Sequence, residues 1–237
     1  MPTERFYHLS EEKKKLIKEA AIKEFCRAPL EKASINKIVQ NAAISRGSFY
    51  TYFSDKEDIL EYIFEDLVLQ VQGFCKATLV NAKGDFWELP GRLLDYVLEV
   101  CESSGMFSMM QSAMGNQVIG KLMDRKLMDR KLCAVPFYYS AALSGEKKAF
   151  GQAGGEDVQA ASGDDGIDFW LSELYQLTDS SKLRKSGFED FWLMFSLCIM
   201  NMMMTIGEIY QKGIEEKEAK TLFAKRLEII KQGAARE

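Results

Sequence analysis

The chain has 237 residues, 47% hydrophobic and 28% charged, with only 4 Pro and 1 His. That composition supports one large domain or two modest ones, and it excludes a disordered, collagen-like or disulfide-scaffold chain. A lone His leaves no paired-histidine metal helix and removes most triad chemistry, and a formal net charge of −4 argues, for the whole chain, against a partner as acidic as duplex DNA.

In chain order, residues 1–20 are charged and carry no apolar stretch, so no secretory signal is expected there. His8 lies in a polar N-terminal arm. A first helix follows Ser10 as N-cap, placing Leu16, Ile17, Ala20, Ala21 and Phe25 on one face, and Ala28-Pro29 ends it. Short helices follow over Ile35–Ala42, capped by Ser34, and Arg46–Phe53, capped by Ser45. Ser54-Asp55-Lys56-Glu57 then reads as a capping box with Ser54 as N-cap. Behind it Ile59, Leu60, Ile63, Phe64, Leu67, Val68 and Val71 form the apolar stripe of a long helix.

Further helical periodicity covers about 86–103, 106–115, 117–141, 168–178, 188–212 and 216–232. The tandem pentapeptide at 121–130 turns too far per step to line one helix face, so it is no coiled coil. Ser144 to Gly166 is glycine-rich and reads as a loop, its acids lacking calcium-loop spacing. The run Phe191 to Ile206 is too short for a bilayer span, which wants roughly 20 residues, and reads as a buried helix. Cys26, Cys75, Cys101, Cys133 and Cys198 are odd in number and widely spread, as reduced thiols of a cytoplasmic protein would be. The fold class is therefore all-α.

The charge is unevenly placed. Residues 1–60 carry eleven Lys and Arg against nine Asp and Glu, a net +2, and the remainder is −6. Within that segment, two short helices joined through Ala43-Ile44-Ser45 have helix-turn-helix spacing. Ile38, Val39, Ala42, Ile44, Phe49 and Phe53 are the positions expected to be buried. The second helix then presents Arg46, Gly47, Ser48, Tyr50, Thr51 and Tyr52, a polar and aromatic face with one Arg and no acid. Such a face suits a major groove better than a solvated surface, which usually mixes Glu with Lys.

Ile44-Ser45-Arg46-Gly47-Ser48-Phe49-Tyr50-Thr51-Tyr52-Phe53, followed by Asp55-Lys56-Glu57-Asp58, closely resembles the signature of the tetracycline-repressor (TetR/AcrR) family. Ser34-Ile35-Asn36-Lys37-Ile38-Val39 is similar to that family's preceding helix, and the likeness covers about residues 10–62. Ala43 stands where the family has a turn Gly, and Pro29-Leu30 replaces its Gly-aromatic pair. An L-residue enters the left-handed region only at a cost, which predicts a repacked turn.

The resemblance implies an N-terminal three-helix head, residues 1–54, on a helical effector-binding and dimerisation domain, residues 55–237. It implies that Arg46 reaches base edges and that Gly47 lets the helix approach closely. Ser34, Ser45, Ser48, Tyr50, Thr51 and Tyr52 would bond phosphates or bases, with Tyr52 equally able to pack beneath the helix. Lys37 and Lys56 would pair with phosphates. Phe107, Met110, Met114, Phe137, Tyr138, Trp170 and Tyr175 are candidate walls for an apolar or aromatic effector. Homodimerisation is expected through 188–212, apolar nearly all round, and 216–232. Partners are thus double-stranded DNA, a small molecule and a second copy, with no membrane, catalytic residue, cofactor or metal. The competing reading is a small-molecule binder or enzyme that retains a helix-turn-helix head.

Overall fold

The computed structural model describes residues 2–104, 166–183 and 187–234, which form α-helices joined by 3-10 turns, with no strand among the described residues. These residues divide into two compact units. One comprises 2–74 with 95–104, the other 75–94, 166–183 and 187–234. The helices predicted at 106–115 and 117–141, the tandem pentapeptide, and the 144–166 loop up to Gly166 lie outside the described residues.

The first unit begins with a short helix, α1 (Glu4–Tyr7), where a polar arm was expected. Its Phe6 is fully buried and has the rings of Phe53 and Tyr62 each 4.8 Å away. Helix α2 (Glu11–Arg27) starts at Ser10, whose hydroxyl accepts from the Lys13 N–H, and it buries Ile17, Ala20, Ala21, Ile22 and Phe25. Helices α3 (Ile35–Asn41) and α4 (Arg46–Tyr52) follow as the spacing predicts.

The long helix α5 (Lys56–Asn81) starts one residue later than the capping-box reading. Asp55, not Ser54, is the N-cap: its carboxylate accepts from the Asp58 N–H at 2.8 Å. Asp58 in turn accepts from the Ser54 N–H at 2.9 Å and from the Ser54 hydroxyl. Only half of a capping box therefore forms, one residue later than expected: Asp55 takes the Asp58 N–H, while the Asp58 carboxylate reaches past the N-cap to the Ser54 N–H and hydroxyl. Ile59, Leu60, Ile63 and Phe64 close the core of this unit, and the Lys18–Asp66 ion pair ties α2 to α5.

In the second unit, α5 ends in a turn at Gly84, which enters the left-handed region at φ +79°. The sequence expects one helix over 86–103; instead a 3-10 turn, Phe86–Glu88, precedes α6 (Leu89–Ser104). Asp85 caps that turn through the Trp87 N–H. Helix α7 (Gly166–Leu177) buries Leu171 and Leu174. Helix α8 (Phe188–Tyr210) is long and apolar enough to cross a bilayer by length and hydropathy. It packs on α7 and on α9 (Glu216–Ala234), and buries the polar Asn201 and Thr205. Asn201 donates its side-chain N–H to the Phe223 carbonyl at 3.0 Å, and Arg226 bonds Glu208 at 2.5 Å, so two polar links fix α9 against α8.

Two stripes of α8 differ in kind. Phe191, Met194, Phe195, Cys198, Met202 and Ile206 face inward. Leu193, Leu197 and Met204 are 54%, 49% and 41% exposed, and with Met200 they recur at helical spacing on the outer side. Ile229 of α9 is likewise exposed.

Candidate nucleic-acid interface

Helices α3 and α4 are packed by the residues that the pattern assigns inward. Ile38, Val39, Ala42, Phe49 and Phe53 are buried, and Ile44 is half-buried against the same core. The turn between the helices departs from expectation. Ala43 takes φ +49°, so it occupies the left-handed position itself rather than forcing the turn to repack. The Ile44 N–H bonds the Val39 carbonyl at 3.0 Å and the Ala43 N–H bonds the Gln40 carbonyl at 3.3 Å. That is the Schellman pairing, and its two bonds offset the strain of a Cβ in that region. The Lys13 ammonium also reaches the Ala43 carbonyl at 3.3 Å.

Ser45 caps α4, its hydroxyl accepting from the Ser48 N–H at 2.9 Å and lying 2.9 Å from the Ser48 hydroxyl. Ser34 sits at the N-cap of α3, but its side chain makes no capping bond. Its N–H donates instead to the buried Glu24 carboxylate at 3.0 Å. At the other end of α4, Thr3 donates its N–H to the Tyr52 carbonyl and its hydroxyl to the Thr51 carbonyl. The last carbonyls of the helix, otherwise orphaned, are thereby satisfied.

The exposed face of α4 centres on Arg46. Its Nη1 donates to Asn36 Oδ1 at 2.8 Å and its Nη2 to the Tyr50 hydroxyl at 3.3 Å, with the guanidinium carbon 5.6 Å from the Tyr50 ring centre. Asn36 was assigned no role by the sequence reading. Its signal is weak, because an exposed Asn early in a helix looks like any solvated residue. Arg46, Asn36, Tyr50, Ser34 and Lys56 line one open groove of about 360 Å³ together with Asp55 and Glu57.

The remaining candidates are not equivalent. Lys37, Gly47 and Tyr50 are exposed, whereas Ser48 and Thr51 are partly covered. The Thr51 hydroxyl donates back to the Gly47 carbonyl at 3.0 Å. Lys56 donates to the Glu31 carbonyl at 2.7 Å, tying the start of α5 to the turn before α3. Tyr52 is half-buried, its ring 6.1 Å from Phe6.

Of the effector-wall candidates, Phe107, Met110, Met114, Phe137 and Tyr138 lie outside the described residues. Trp170 stands edge-on to Phe195 at 5.7 Å, and its buried indole N–H has no acceptor among the described residues. Tyr175 packs on Phe191 at 5.5 Å. A closed apolar cleft of about 10 Å³ beside them, lined by Phe86, Leu89, Phe195, Cys198 and Met202, has room for about one water. Burial pushes the thiols of Cys75 and Cys198 up to about 12, so both stay protonated and un-nucleophilic at neutral pH.

Residues 17–63 match the family model of bacterial regulatory proteins of the tetR family, and residues 155–234 match that of the tetracyclin repressor-like C-terminal domain. Two relatives from Bacillus subtilis are HTH-type transcriptional regulators. YvdT is 35% identical over 86 residues, 36% of this chain and 44% of YvdT. YhgD is 31% identical over 64 residues, 27% of this chain and 34% of YhgD. The matched stretch thus spans less than half of either relative. A solved tetR-family structure from Mesorhizobium loti has a TM-score of 0.58 at 14% identity, covering 95% of this chain and 98% of that one. Another, from Marinobacter aquaeolei, scores 0.50 at 12% identity, covering 96% and 100%. Both speak to the fold alone. With a helix-turn-helix head matched by one model of the family and a helical C-terminal region matched by another, the chain belongs to the TetR family of bacterial regulatory proteins.

Proposed function

We propose that the protein is a ligand-responsive, dimeric transcription regulator, a repressor, that binds a near-palindromic operator in double-stranded DNA. The observation that carries this reading is the outer face of α4, where Arg46 is held outward, beside Ser48, Tyr50 and Thr51, with no acid on the helix. Arg46 reads base edges, preferentially guanine, while Ser34, Lys37, Ser45, Ser48, Tyr50 and Thr51 bond phosphates or bases. Tyr52 supports the helix from beneath. Lys56 reaches a phosphate from the rim of the groove if it exchanges the Glu31 carbonyl for it.

Residues 1–54 act as the head and 55–237 as the effector and dimerisation domain. One head buries too little DNA for specificity, so two are needed, about 34 Å apart or more on the duplex. The outer stripe of Leu193, Leu197, Met200 and Met204, with Ile229, favours a second copy as its cover. An apolar or aromatic effector, with Trp170 and Tyr175 in its wall, shifts the dimer towards a head separation that does not fit DNA. The protein works in the cytoplasm, without catalysis, metal, cofactor or membrane.

The test is binding of the purified protein to duplexes from its own promoter region and to random duplex, across a salt series. Salt-sensitive preference for the promoter, weakened by about 1–3 kcal/mol in Arg46→Ala, is expected. Equal affinity for both duplexes would sink the reading.

A further inference from the structure

We propose that Asn36 is a positioning residue for base readout: together with Tyr50 it aims the Arg46 guanidinium before DNA arrives. The inference rests on the DNA-binding reading above and goes beyond it by assigning a residue on a different helix to the specificity of Arg46. Three observations support it. The guanidinium is held from two elements at once, by Asn36 Oδ1 of α3 at 2.8 Å and by the Tyr50 hydroxyl of α4 at 3.3 Å. The Tyr50 ring lies under it, 5.6 Å from the guanidinium carbon. Both acceptors are neutral, and no carboxylate pairs with Arg46 among the described residues.

The chemistry of that arrangement is specific. A free Arg side chain loses much rotamer freedom when it docks, and holding it beforehand removes part of that loss from the binding step. A carboxylate in place of Asn36 would hold the group equally well but would cancel the charge that attracts phosphate and guanine. A neutral amide holds it and leaves the charge intact. Two of the five guanidinium N–H donors are used, and three remain for a base edge. Because the two acceptors sit on α3 and α4, the packing of one helix on the other decides where the fork points.

The experiment is sequence selection from a randomised duplex library, with affinities for the selected duplex and its single-position variants, on the wild type, Asn36→Ala, Arg46→Ala and the double variant. Asn36 is exposed, so thermal melting of Asn36→Ala should match the wild type. Asn36→Ala is expected to lose about tenfold of the preference at the same base pair whose preference Arg46→Ala erases, and to leave other positions alone. In the Arg46→Ala background it should change nothing. An equal loss in that background, or a loss at a different base pair, overturns the proposal, since Asn36 would then be reading DNA itself. A wild type that selects no sequence overturns the DNA-binding reading along with it.

Discussion

Thr3 and Tyr52 are joined backbone to backbone: the Thr3 N–H donates to the Tyr52 carbonyl at 2.9 Å, and the Thr3 hydroxyl to the neighbouring Thr51 carbonyl at 2.8 Å. The N-terminal segment therefore finishes α4 from outside its own sequence. Phe6 anchors that segment among Phe53, Tyr62 and Tyr52. Phe6→Ala should destabilise the head by about 3–5 kcal/mol, as a fully buried aromatic truncation does. Chemical denaturation checks it, and a loss below about 1 kcal/mol would mean the segment is not docked in solution.

The start of α5 makes a prediction about register. Asp55→Ala removes the carboxylate that accepts the Asp58 N–H and should cost about 1 kcal/mol, more than Ser54→Ala. Asp58 adds a pH dependence. Partial burial pushes its pKa up, but hydrogen bonds and charge, the bonds from the Ser54 hydroxyl and N–H among them, together bring the carboxyl below its ordinary 3.8. A group depressed on folding contributes stability above its unfolded pKa, about 3.9, and that contribution is lost as pH falls through the folded value. Urea unfolding between about pH 3 and 6 should show Asp58→Asn with a flatter acid limb than the wild type.

Two left-handed turn positions predict opposite signs. Ala43 sits at φ +49° with a Cβ that this region disfavours, so Ala43→Gly should stabilise the protein by about 0.5–1 kcal/mol. Gly84 sits at φ +79°, and a Cβ there would come within 2.7 Å of the Asp179 backbone nitrogen. That nitrogen already donates to the Gly84 carbonyl at 2.8 Å, so the turn after α7 is clasped onto it. Gly84→Ala should destabilise by about 2 kcal/mol or more. Thermal melts of the two variants should move in opposite directions.

Gly47 separates folding from binding. A Cβ at this position would meet only the Ser45 hydroxyl, at 3.7 Å, so nothing among the described residues requires glycine. Gly47→Ala should leave the melting temperature unchanged or slightly raised, because Ala favours helix. Its affinity for operator duplex should fall about tenfold if DNA backbone packs against this point. Unchanged affinity would show that the approach is elsewhere.

Much of the head was legible from residues a few places apart. Caps at Ser10 and Ser45, the apolar period of α2 and the acid-free face of α4 are local patterns, and local patterns are what a linear sequence displays. The capping of α5 was visible too, but its register was not. Whether Ser54 or Asp55 caps depends on which acceptor wins the N–H groups once the chain has turned into α5. Whole-chain acidity pointed away from DNA, and only the division at residue 60 showed that the balance belongs to the rest of the chain.

The links between distant positions were decided by tertiary structure alone. Phe6 reads as part of a polar arm because its partners, Phe53 and Tyr62, lie some fifty residues away. Ala43 looked costly at the turn because the two bonds that offset its strain are formed only when α3 ends as it does. Asn36 carried no mark of function until α3 packed on α4 and brought its oxygen to Arg46. The sequence by itself determined which helices form and which face of α4 is polar, since those follow from the periodicity of neighbouring residues. Where Arg46 points was settled by a contact between helices, which no local pattern encodes.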